Sequence, residues 1–127
     1  MKNPHQPFAT TIALLPLACY LVLVAAACHT WFAVGNWPSY GNPDPKNLPV
    51  REVYVVAIYA TLIGLVSVLL CPIVELAFLG LQRALKKDWK PHGSLVVRTY
   101  AIGSILWVIA FLRWLMDAGG LVNWIFD

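Results

Sequence analysis

Three long apolar runs, at about 8–34, 53–81 and 94–116, are separated by two polar segments of opposite character and followed by a short apolar tail. A helix needs about 20 apolar residues to cross a bilayer, and each run exceeds that length. The pattern predicts helix 1 over about 8–34, a loop over 35–51, helix 2 over about 52–82, a basic loop over 83–92, helix 3 over about 93–117 and a tail over 118–127. Pro16 falls inside the first run, where a membrane helix accommodates it with a kink. The tail, "DAGGLVNWIFD", is apolar but too short to cross, and Gly119-Gly120 breaks the helix before it. It is expected to lie at the membrane interface. The first run contains "VAAAC" but is longer than the apolar part of a cleaved leader, so it is expected to be a retained span.

Composition agrees with the pattern. Of the 127 residues 60% are hydrophobic and 12% charged, about half the charged fraction that coats a soluble domain. The fold class expected is an all-α integral membrane protein, a single membrane domain of three transmembrane helices with a proline-rich exterior loop and a short interfacial tail.

Charge sets the orientation. "RALKKDWK" between helices 2 and 3 carries Arg83, Lys86, Lys87 and Lys90, whereas the first loop offsets Lys46 and Arg51 with Asp44 and Glu52. The positive-inside rule makes the basic loop cytoplasmic, with the N-terminus inside and the C-terminus outside. The net charge of +3 is therefore a topology signal that also favours anionic lipid, and no nucleic-acid partner is expected.

The exterior loop contains Pro38, Pro43, Pro45 and Pro49, each of which fixes a backbone angle and removes a donor. A stiff loop follows. Trp37, Pro38, Tyr40, Pro43, Asp44 and Pro45 are expected either to cap the helix ends or to dock a partner, with Trp31, Trp37 and Tyr40 in the aromatic belt. The stretch "WPSYGNPDPK" resembles the loop of small, uncharacterised bacterial inner-membrane proteins that share a similar order of apolar runs. The resemblance implies a bacterial inner membrane and carries no activity, cofactor or catalytic residue with it.

Candidate chemistry is sparse. Cys19 and Cys28 face opposite sides of one helix and Cys71 stands on another, so all three read as small packing residues. His5, His29 and His92 lack the spacing that zinc or haem would use. No phosphate loop or nucleophile elbow occurs, and neither a cofactor nor an enzymatic activity is expected.

Helix 2 says more. Ala57, Ala60, Thr61, Gly64, Ser67 and Cys71 recur at spacings of three and four and form a stripe of small residues, the kind of face on which membrane helices approach closely. Val55, Leu62, Val66 and Leu69 turn towards lipid. Glu75 continues the stripe at its cytoplasmic end, about 10 Å inside a boundary near Gln82 at 1.5 Å per residue. Arg98 enters at similar depth on helix 3, and an ion pair between the two would remove much of the cost of burying either charge. Against pairing, the side chains lean towards their own helix N-termini and so away from each other, which leaves separate snorkelling and a proton-handling acid as alternatives. Arg113 and Asp117 are charges at the outer boundary. The functional expectation is a non-catalytic membrane subunit or accessory protein, set in the bilayer against a membrane-protein partner or a second copy of itself. The alternative is a homo-oligomeric transporter or channel with Glu75 as its protonatable site.

Overall fold

The computed structural model describes residues 6–38, 50–85, 93–116 and 120–126. Ninety per cent of these are helical, and no strand occurs among them. The helices are α1 (Gln6–Val34), α2 (Arg51–Ala84), α3 (Ser94–Leu115) and a short α4 (Leu121–Ile125). The first three are long and apolar enough to cross a membrane. At 1.5 Å per residue α2, with 34 residues, spans roughly 51 Å and overshoots a hydrocarbon core of about 30 Å, whereas α3, with 22, spans roughly 33 Å.

The ends of the helices have local causes. Gly35, at φ 81°, occupies the left-handed region and its N–H donates to the Trp31 carbonyl at 2.8 Å, closing α1 with a glycine cap. Glu52 lies in the first turn of α2 and Arg83 in its last, each on the side of the helix dipole that favours its charge.

α1 is the central helix. In its most apolar window 33% of the residues are buried, against 17% for α2 and 11% for α3. Its buried residues, Ala13, Pro16, Cys19, Leu23, Ala26, Ala27 and Thr30, recur at helical spacing, and both α2 and α3 pack on this helix far more than on each other. The buried residues of α2 are Ala57, Ala60, Thr61, Gly64, Ser67 and Cys71, the six small residues singled out by spacing. Val55, Leu62, Val66 and Leu69 are exposed on the opposite side. Cys19 and Cys71 are buried and Cys28 is half-buried, all as free thiols.

The tail differs from expectation. It does not lie along the surface of the bundle: Val122, Asn123, Trp124 and Ile125 are all buried. Gly120, at φ 135°, reverses the chain after α3, and α4 then enters the space between the C-terminal half of α1, the start of α2 and the end of α3. Trp124, Val122 and Ile125 share one cluster with Leu23, Ala27, Ala57 and Trp107. Length and hydropathy identify a segment too short to cross. They do not distinguish lipid from a gap between helices that the same apolar side chains can fill.

Candidate functional site

The best-organised set of side chains lies where α3 meets the other two helices, on a face made by Tyr100, Gly103 and Trp107 at spacings of three and four. Gly103 lies against the backbone of α1. A Cβ there would come within 3.0 Å of the Leu17 Cα and the Pro16 carbonyl carbon, so only glycine permits this approach. One turn further on, the large side chain of Trp107 fills the space that remains. Its indole N–H donates to the Pro16 carbonyl at 2.8 Å, while its ring covers Gly64 of α2 so closely that a Cβ at Gly64 would overlap it. Tyr20 of α1 meets the same ring edge-on at 5.5 Å. Trp107 is 1% exposed and connects all three spans.

Tyr100 performs a second task. Pro72 lies inside α2 and has no N–H, so the carbonyl of Val68, four residues earlier, loses its helical donor. The Tyr100 hydroxyl donates to that carbonyl at 2.8 Å. In a membrane, where water is not at hand, another helix must supply such a bond. Sequence reading passed over Pro72, Tyr100 and Trp107. The available signal was the proline, which demands a donor for the carbonyl four residues before it.

The hydroxyls of the small-residue stripe are satisfied within their own helix. Thr61 donates to the Ala57 carbonyl and Ser67 to that of Gly64, both at 2.8 Å. On α1, Thr30 donates to the carbonyl of Ala26 at 3.0 Å.

Glu75 is half-buried on α2, one turn beyond Cys71, and Arg98 is exposed on α3. Both α2 and α3 pack on α1, and Tyr100 and Trp107 of α3 reach α2 as well.

At the opposite end Trp37 is exposed and Pro38 is fully buried. The rings of Trp31 and Trp37 meet edge-on at 6.0 Å, and Phe32 stacks on Trp31 at 5.5 Å. Tyr40, Pro43, Asp44 and Pro45 lie outside the described residues, as does Asp117. Arg113 is exposed in the last turn of α3, beside Gly120. His29 is exposed on α1, and among the described residues no three His, Cys, Asp or Glu side chains converge as a metal site would require.

The chain matches no family model, no curated protein and no solved structure.

Proposed function

We propose that this protein is a non-catalytic subunit or accessory protein of a bacterial inner membrane, its N-terminus cytoplasmic and its C-terminus outside, packing against a membrane-protein partner. The observation that carries this reading is how the centre of the bundle is used. Trp107 fills the contact of α1, α2 and α3, and the hydroxyls of Thr61, Ser67 and Tyr100 are spent on backbone carbonyls. An interior filled in this way favours rigidity and leaves little room for a solute. Outward, α2 and α3 carry large apolar side chains, among them Tyr59, Ile63, Leu69, Ile73, Ile102 and Ile105, a surface suited to lipid or to the helices of another protein.

A second reading has one observation in its favour. Glu75 is half-buried in an apolar helix, and acids within membrane spans commonly serve ion or proton pathways. A homo-oligomer could form such a pathway between copies, with Glu75 as its protonatable group.

Native mass in mild detergent separates the two readings. The protein is to be purified with and without co-expression of neighbouring gene products. A stable hetero-complex is expected. A defined homo-oligomer, with a pH-dependent flux that Glu75→Gln abolishes, would replace the accessory reading with the transport reading.

A further inference from the structure

A cleft of about 230 Å³ opens at the end of the bundle where α4 turns back. Its inner lining comes from Leu23, which is fully buried, with half-buried Ala110 and Leu121. Trp37 and Arg113 stand exposed at its edge, and half-buried Tyr20 also faces it. Three elements build the cleft. Gly120 supplies both the turn and the room, since even a Cβ on it would lie 3.8 Å from Arg113 Nε. Tyr20 is fixed from behind by the edge of Trp107. The pairing of Trp37 with Trp31 holds the third side.

From this geometry we infer that the cleft is a binding site for one anionic phospholipid, the phosphate group against Arg113 and the start of an acyl chain over Leu23, Ala110 and Leu121. The chemistry of the lining gives the ligand class. A guanidinium presents five donors in a plane and binds phosphate oxygens two at a time, so a further acceptor nearby leaves donors to spare. The apolar inner lining offers nothing to a free phosphate ion but suits a hydrocarbon chain. At about 230 Å³ the cleft falls below the range of about 300–1,000 Å³ for drug-sized ligands, and it has room for the junction of a headgroup and a chain. Its position suits the same occupant: Trp31 and Trp37 mark a level where aromatic rings meet headgroups, and the cleft opens between them and the end of α3. An anionic headgroup is preferred to a zwitterionic one because choline or ethanolamine would bring a second positive charge towards Arg113.

The test uses the full-length protein in a non-ionic detergent and counts bound lipid by native mass spectrometry, titrating dioleoyl phosphatidylglycerol, dioleoyl phosphatidylcholine and inorganic phosphate separately. Phosphatidylglycerol is expected to bind one per chain, at least about tenfold more tightly than phosphatidylcholine, whose choline cation is repelled by Arg113 while the phosphate contact is common to both. Arg113→Gln should remove that preference and Arg113→Lys should restore part of it. Ala110→Leu, which fills the inner lining and leaves the arginine in place, should weaken both lipids, and it decides the matter if Arg113→Gln fails to fold. Equal binding of the two lipids by the unaltered protein overturns the assignment, as does phosphatidylglycerol binding that survives both Arg113→Gln and Ala110→Leu. Inorganic phosphate displacing phosphatidylglycerol at comparable concentration would make the cleft a site for a soluble anion and would also overturn it.

Discussion

Trp107 shows how one side chain can organise three membrane helices. Lipid tails are as apolar as leucine, so hydrophobicity gives the spans no reason to meet, and close packing with well-made hydrogen bonds must do so. The indole supplies both, over Gly64 and to the Pro16 carbonyl. Trp107→Ala should therefore lower stability by about 2–4 kcal/mol, near the lower part of the range for soluble cores because the hydrophobic contribution is missing. Gly64→Leu should cost about 1–3 kcal/mol by displacing the same ring. Because both act at one contact, the double change should cost clearly less than their sum when unfolding is followed by chemical denaturation in detergent. The behaviour expected at Glu75 and Arg98 is the opposite. With Arg98 exposed, Arg98→Ala should change stability by no more than about 0.5 kcal/mol, and its effect should add to that of Glu75→Gln within about the same margin. A coupling above about 1 kcal/mol would instead show the two as an ion pair.

Among the elements, α2 and α3 depend on each other through a defect in α2. Pro72 leaves the Val68 carbonyl without a helical donor, and Tyr100 supplies one from the next helix. Interhelical hydrogen bonds in membranes average about 0.6 kcal/mol and reach about 1.7, so Tyr100→Phe should cost about 1 kcal/mol. The mechanism makes a sharper claim. In a Pro72→Ala background residue 72 regains its N–H, the Val68 carbonyl is bonded within α2, and Tyr100→Phe should cost measurably less. An equal cost in both backgrounds would mean that Tyr100 acts through packing alone. α4 illustrates a different dependence. Five residues cannot hold a helix in isolation, and this one persists because Trp124, Val122 and Ile125 are surrounded by the three longer helices.

The molecule as a whole has a central helix, two flanking helices and a short helix inserted at one end, with many large apolar residues on its outside. Such a surface suits a hydrocarbon environment, and the proposed orientation rests on the positive-inside rule. A reporter active only outside the cytoplasm, fused after Asp127, should be active, and the same reporter fused after Lys87 should be silent. The reverse pattern would mean that the lysines and arginines of the second connection do not set the orientation. A fusion after Asp127 also extends a chain whose last helix is buried, so the reporter should follow a flexible linker.

The apolar runs by themselves determined that three helices long enough to cross a membrane would form, because each run exceeds the length of about 20 residues that a span needs and is bounded by polar, proline- or charge-rich segments. They also determined which face of α2 would be buried, since small residues at spacings of three and four leave only one side on which backbones can approach. What they did not determine was which helix would be central, what would fill the gap beside Gly64, and where the tail would go. Those outcomes depend on distances between residues far apart in the chain: Trp107 and Pro16 are 91 positions apart, and Tyr54 reaches the Ile125 carbonyl, at 3.4 Å, across 71. Only the tertiary structure decides them, because a periodic pattern fixes the face a side chain occupies and not the residue it will meet there.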